Sequence, residues 1–358
     1  MRIRPDQVFP AGGGAPTRRG IDVRSPGEVA RGAIPDAVAL PILDDEERHA
    51  VGLRYAEAGQ DAAIEEGALR TQDDLPRRAA AWRAAADERP SAFFCWRGGL
   101  RSELAQRFAE RPGTPRVEGG YKALRAYLTE QLPAALARRE ALVVTGATGS
   151  GKTEVLQAAA AIDDLLALDL EGAAEHRGSA FGATGPQPAQ ATFEHRLAVP
   201  LIVGRERRLL LEDESRNVGR VHLPAEVHDR VRSAPLLVLE EPLASRVRRI
   251  HRDYALIPAR ERGVDAVFEE LSAALLRLRR RLGGDATDAM VAALRDARDQ
   301  DAWHDPEAFR PVIEPLLHDY YDPAYRKATP TEGRRLAARG DREELLAWLS
   351  ATRRPSPA

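Results

Sequence analysis

The segment ALVVTGATGSGKTEVLQAAA, residues 141–160, restricts the possible folds more than any other feature of the chain. A largely apolar, strand-forming run from Ala141 to Thr145 leads into Gly146-Ala147-Thr148-Gly149-Ser150-Gly151-Lys152-Thr153, a GxxxxGKT loop, and helix-forming residues follow. Such a loop turns consecutive backbone N–H groups inward at the start of a helix, where they and the helix dipole attract phosphate oxygens. Lys152 adds a mobile cation, and the Thr153 hydroxyl can hold a Mg²⁺. The segment predicts a strand–loop–helix unit in a parallel α/β sheet that binds a di- or triphosphate, without specifying whose.

Downstream, LLALDLEG, RLLLEDES and APLLVLEEP are apolar runs ending in acids, as parallel strands are when their carboxyl ends face a site. Asp169, Glu171, Glu212, Asp213 and Glu214 are therefore candidates for a metal ligand or general base. The Gly-flanked HRGSAFG adds His176 and Arg177 as a candidate substrate loop. Each acid could equally be a helix cap or a solvated surface charge.

The chain's single cysteine lies in CWRGGLRS, after a short apolar run expected to be the strand Ser91 to Phe94. A helix is expected from Ser102 to Arg111. With Cys95 at the strand's end, the backbone N–H groups of Trp96, Arg97, Gly98, Gly99, Leu100 and Arg101 can surround the sulfur. The helix N-terminus and the two arginines favour a thiolate, a bound oxyanion or a persulfide there. One cysteine permits no internal disulfide. With no apolar signal core at the N-terminus and no uncharged run near the ~18–20 residues of a membrane span, the cytoplasm is the expected compartment. The net charge of −2 argues against bulk electrostatic coating of nucleic acid, so a polyanion would need a local basic face.

In 358 residues two domains are expected. The fold class is α/β: an N-terminal domain over residues 1–128, a helical connector at 129–140, and a P-loop NTPase-like parallel-sheet domain with a helical C-terminal region over 141–350. A disordered tail is expected at 351–358.

DVRSPGEVARGAIPDA, the cysteine loop and VEGGYKALRAY resemble a rhodanese-like domain, whose loop cysteine carries a chalcogen atom. Taken in order with GATGSGKT, DLEGAAEHRGSAFG, EDESRNVG and YYDPAY, they resemble the bacterial tRNA 2-selenouridine synthase family across nearly the whole chain. The resemblance implies exchange of sulfur for selenium in wobble-position 2-thiouridine, through S-geranylation with geranyl diphosphate and then selenation with selenophosphate. It implies that Cys95 is catalytic, that residues 96–101 form a selenophosphate loop and that residues 146–153 bind diphosphate. No tightly bound cofactor is implied, and the implied partners are tRNA and a selenophosphate synthetase. The same motifs also suit an ATP-dependent tRNA sulfurtransferase using a Cys95 persulfide, or a nucleotide-gated regulatory binding protein. A pure binding module, however, needs no nucleophile.

Arginine outnumbers lysine heavily, with lysine only at 122, 152 and 327. The densest basic runs, RVRRIHRDY and RLRRRL, make Arg248, Arg249, Arg279 and Arg280 the candidate tRNA contacts, with Tyr321 as a candidate base-stacking ring.

Overall fold

The computed structural model describes residues 1–176, 186–205, 207–328 and 333–352. The chain divides into two compact units, one of Met1–Arg139 with Pro188–Glu206 and the other of Glu140–Gln187 with Arg207–Ala358.

In the first unit the elements run β1 (Arg2–Ile3), β2 (Arg19–Asp22), α1 (Pro26–Ala30), β3 (Val38–Ala39), α2 (Asp45–Thr71), α3 (Leu75–Glu88), β4 (Ser91–Phe94), α4 (Leu100–Phe108), β5 (Arg116–Val117) and α5 (Gly120–Ala137). Its sheet is parallel throughout, in the order β1-β5-β4-β2-β3. All four β4 residues are buried, as a central parallel strand requires when its side chains pack on both faces. Ile21, Val23, Trp82 and Phe93 pack around Cys95 in the core. The helix expected from Ser102 begins two residues earlier, with Gly99 as its N-cap. The 128/129 boundary falls inside α5, which runs on as far as Ala137 within the expected connector.

The second unit continues with β6 (Ala141–Thr145), α6 (Lys152–Ala159), β7 (Leu165–Leu168) and α7 (Leu170–Ala173). The chain then forms α8 (Gln190–Val203), which belongs to the first unit, before β8 (Arg208–Glu212). A hairpin of β9 (Asn217–Val218) and β10 (Val221–His222) follows, then α9 (Ala225–Ser233), β11 (Leu236–Leu239) and α10 (Leu243–His251). Five more helices, α11 (Ile257–Arg262), α12 (Val264–Leu282), α13 (Gly284–Asp299), α14 (Arg310–Pro315) and α15 (Asp322–Ala328), precede β12 (Leu336–Gly340) and α16 (Arg342–Ala351). The parallel sheet has the order β12-β11-β6-β8-β7. From β6 the chain runs to β7 and back through β8 on one side, and the connection from β8 then crosses to β11 on the other, so the loop after β6 lies at the switch point where α/β sheets bind ligands.

The span 141–350 expected for the P-loop domain includes α8, which packs on α5 within the first compact unit. There Ala33 N–H donates to Thr192 Oγ1 at 2.9 Å, and His195 Nδ1 donates to the Ala33 carbonyl at 2.8 Å. The C-terminal region is also not purely helical, because β12 forms the sheet edge beside β11. Leu336 is half exposed, as an edge position allows, so no buried apolar run marks the strand in the sequence. The expected tail lies outside the described residues from 353 onward, while Ala351 ends α16.

Candidate functional site

Cys95 follows β4 directly and is buried, with Sγ 3.5 Å from Ser102 Oγ and 3.9 Å from the Gly99 carbonyl. The loop is held by backbone contacts: Tyr121 N–H donates to the Cys95 carbonyl at 2.9 Å, and Lys122 N–H donates to the Trp96 carbonyl at 3.0 Å. At Gly120 any Cβ would collide with that Cys95 carbonyl and with the Gly98 amide, which explains the glycine pair of VEGGY. Tyr121 ties the loop to the core, its ring 5.2 Å from Trp96 and 3.8 Å beneath the Arg24 guanidinium. Arg24 is fully buried, paired with Asp22, and donates to the carbonyls of Glu28 and Gly32.

The two arginines of CWRGGLRS differ in environment. Arg97 is exposed, whereas Arg101 makes two bonds to Glu28, at 2.5 and 3.0 Å. Burial opposes the Arg101 charge, but Glu28 and, more weakly, Cys95 outweigh it and raise its pKa. Part of the positive charge near Cys95 is thereby spent on Glu28, leaving Arg97 and the α4 N-terminus as the accessible attraction for an anion. Leu100 is exposed at the start of α4.

In the second unit Gly146 to Thr153 form the turn from β6 into α6. Gly151 adopts φ +92°, a left-handed conformation that admits glycine most easily, immediately before Lys152 begins the helix. Lys152 Nζ donates to the Gly146 carbonyl at 3.1 Å. Burial works against its ammonium, but Tyr325, Glu214, Glu171 and Glu212 outweigh burial and hold its pKa above the ordinary lysine value. The lysine therefore stays charged.

Of the candidate acids, Glu212 is the best placed. Its Oε1 accepts from the N–H groups of Leu170 at 2.8 Å and Glu171 at 3.1 Å, and its Oε2 lies 3.4 Å from Thr153 Oγ1. Burial first, then Glu171, Glu214 and Asp169, push its pKa well above the carboxylate range. Burial and Glu171 push Glu214 up to about 8, against the pull of Lys152. Asp169 caps α7 through Gly172 N–H at 2.6 Å. Asp213 is fully buried and paired with Arg232 at 3.2 Å and Arg334 at 3.0 Å, an arrangement that anchors the end of β8. His176 is half-buried with its pKa lowered by desolvation, so it is neutral at pH 7. Arg177 lies outside the described residues.

One consequence can be checked directly. Glu214 titrates higher in the folded chain than its ordinary ~4.3, so its stabilising effect is complete below that value and is lost as pH rises through about 8. Melting temperatures measured in chelator from pH 6 to 9 fall with pH, and Glu214→Gln flattens that slope.

A cavity of about 890 Å³ opens over the loop, and its lining divides by chemistry. Thr148, Gly149, Gly151, Lys152, Thr153, Asp169, Glu171, His176 and Glu214 supply polar walls. Leu271, Leu275, Leu294, Phe309, Val312, Ile313, Leu316 and Leu317, from the core of the helical region, supply apolar ones. Sequence reasoning missed this apolar half, because its residues read as ordinary helix core.

The family described as "tRNA 2-selenouridine synthase AAA domain" matches residues 139–355. A tRNA 2-selenouridine synthase of Cupriavidus necator is 42% identical over 348 residues, covering 92% of this chain and 94% of the relative. This chain belongs to the tRNA 2-selenouridine synthase family. A second relative, from Bordetella bronchiseptica, bears the same name and is 39% identical over 356 residues, covering 94% of this chain and 95% of its own. A third, from Pseudomonas aeruginosa, is 40% identical over 352 residues, covering 92% of this chain and 93% of its own. The synthase family consists of enzymes, and the match to its AAA domain covers the second unit as far as residue 355 together with α8 of the first.

Among the basic candidates, Arg249 is drawn into the P-loop wall. It donates to the Gly149 carbonyl at 2.8 Å and lies 3.3 Å from Glu154 and 3.7 Å from Glu241. Arg279 is paired with Asp288 through both terminal guanidinium nitrogens. Arg248 is exposed and bonded to Ser245 Oγ at 2.9 Å, and Arg280 is exposed. Tyr321 lines the cavity and stacks edge-on against Tyr320 at 4.9 Å. No helix among the described residues is long and apolar enough to cross a membrane.

Proposed function

We propose that this enzyme replaces sulfur by selenium in the wobble-position 2-thiouridine of tRNA in two steps, an S-geranylation and a selenation. The observation that carries the first step is the two-chemistry cavity: amides and Lys152 for a diphosphate, and a leucine- and phenylalanine-lined space for an isoprenoid tail. Burying apolar surface stabilises at about 25 cal/mol per Å², so the tail contributes affinity that the adenine and ribose of ATP could not draw from the same walls.

The thiocarbonyl sulfur attacks C1 of geranyl diphosphate, the C1–O bond breaks, and the diphosphate leaves with the electron pair while N3 of the base gives up its proton. Lys152 and the loop amides take up the charge developing on the leaving group. Thr153 and Glu212 present hard oxygens 3.4 Å apart and suit a Mg²⁺, which when bound would neutralise diphosphate charge. Among the described residues no group of three or more His, Cys, Asp or Glu is arranged to hold a metal, so the phosphate oxygens would complete that coordination.

For the second step we read the first unit as rhodanese-like, a reading supported by Cys95 at the carboxyl end of central β4 and beside the α4 N-terminus. The loop Trp96 to Arg101 holds selenophosphate, supplied by a selenophosphate synthetase. The selenium of the selenophosphate held beside Cys95 attacks C2 and expels geranylthiolate, and water then cleaves the Se–P bond, releasing phosphate and leaving 2-selenouridine. Arg248 and Arg280 remain the exposed candidates for tRNA phosphates.

The test is mass spectrometry of tRNA nucleosides after incubation with geranyl diphosphate and then selenophosphate, without ATP. S-geranyl-2-thiouridine followed by 2-selenouridine is the expected sequence of products. Formation of neither overturns the reading, and a requirement for ATP favours the sulfurtransferase.

A further inference from the structure

The segment Leu316–Ala328 lies in both parts of the P-loop cavity. A π-helical turn, Leu316–Tyr321, runs directly into α15. Such turns carry one residue more per turn than an α-helix and re-aim the side chains that follow. Leu316 and Leu317 line the apolar walls, whereas Tyr325 bonds to the start of the phosphate loop and Asp322 reaches it through Arg246. Asp322 receives Arg246 through two bonds, at 3.1 and 2.6 Å, and Arg246 Nε donates to the Thr148 carbonyl at 2.9 Å. Tyr325 Oη lies 2.9 Å from Thr145 Oγ1 and accepts from Gly146 N–H at 3.3 Å. Its ring centroid is 4.9 Å from Lys152 Nζ.

We propose that Tyr325 is a positioning residue for the P-loop lysine, its ring face fixing the Lys152 ammonium before the anion arrives. A lysine side chain has four rotatable bonds and loses much freedom when it grips a phosphate. A ring face within about 6 Å attracts the ammonium and narrows its choices beforehand, and preorganisation of this kind converts into affinity. Tyr325 thus works through Lys152 and makes no claim on the reacting atoms. The inference depends on the loop binding a phosphate chain, and it stands whether or not the apolar walls take a geranyl group.

Calorimetric titration of the full chain with inorganic pyrophosphate tests it. Tyr325→Leu weakens binding about tenfold, equivalent to ~1.4 kcal/mol, whereas Tyr325→Phe, which keeps the ring, stays within about threefold of the parent. Placed on a Lys152→Ala background, Tyr325→Leu has no further effect, because the residue it positions is gone. Equal losses for Phe and Leu would assign the effect to the hydroxyl, and a full additional tenfold loss on the Lys152→Ala background would assign it to packing that bypasses the lysine; either result overturns the proposal. Geranyl diphosphate is titrated in parallel. If it binds no tighter than pyrophosphate while the Tyr325–Lys152 coupling holds, the geranyl reading fails and the positioning role stands.

Discussion

Lys152→Ala lowers formation of S-geranyl-2-thiouridine by about two to three orders of magnitude, the usual cost of removing one preorganised donor from a developing negative charge. The size follows from the surroundings. The ammonium is raised in pKa by a hydroxyl and three carboxyls, so it is present as a full charge, and the loop amides alone cannot replace it. Residual activity comes from those amides and from the apolar walls, which the substitution leaves untouched. The readout is nucleoside mass spectrometry under saturating geranyl diphosphate, so that weaker binding does not pass for slower chemistry. A loss below about tenfold would show that leaving-group charge is carried elsewhere. A second signature accompanies the first: Lys152 is the cation holding Glu214 down at about 8, so its removal raises Glu214 further. The fold then holds a proton over a wider range, and the fall in melting temperature with pH extends to higher pH than in the parent.

Local chemistry explains which parts of this architecture could be read from sequence. Ser91–Phe94 and Ala141–Thr145 are strands at the expected residues, because buried central strands must be continuous apolar runs and their glycine-rich exits stop them cleanly. The role of Asp213 was not readable. Its sequence neighbours Glu212 and Glu214 lie at the loop or the cavity, and Asp213 also borders the cavity, but its carboxylate is taken up by Arg232 and Arg334. Those partners come from α9 and from just before β12, so nothing local distinguishes the structural acid from the other two. Arg246 and Arg249 read as half of a basic stripe, yet both bond carbonyls of the phosphate loop, at Thr148 and Gly149. Their neighbour Arg248 stays exposed, and helical periodicity separates the three only once the packed face of α10 is known. The placement of α8 was hidden for a similar reason. A helix that is apolar nearly all round is recognisably buried, but its sequence does not say in which core.

Cys95→Ala stops selenium incorporation, reducing 2-selenouridine by about a thousandfold or more, while S-geranylation stays near the parent rate and its product accumulates. The separation follows from construction. Among the described residues Cys95 and its loop are held by first-unit contacts, through Gly120, Tyr121 and Ser102, whereas the residues lining the diphosphate cavity belong to the second unit. Cys95→Ser then separates nucleophilic action of the thiolate from simple anion binding. A serine preserves the loop's shape and its place beside Ser102 and the Gly99 carbonyl, but its hydroxyl is a far weaker nucleophile at neutral pH than a thiol in the same surroundings. If the thiolate attacks phosphorus, breaking the P–Se bond and releasing selenide, serine is as inactive as alanine. If the loop merely cradles selenophosphate for attack, serine retains a substantial part of the activity. Full selenation by Cys95→Ala would remove the cysteine from the reaction altogether. The α4 N-terminus and Arg97 would then remain as an anion site alone.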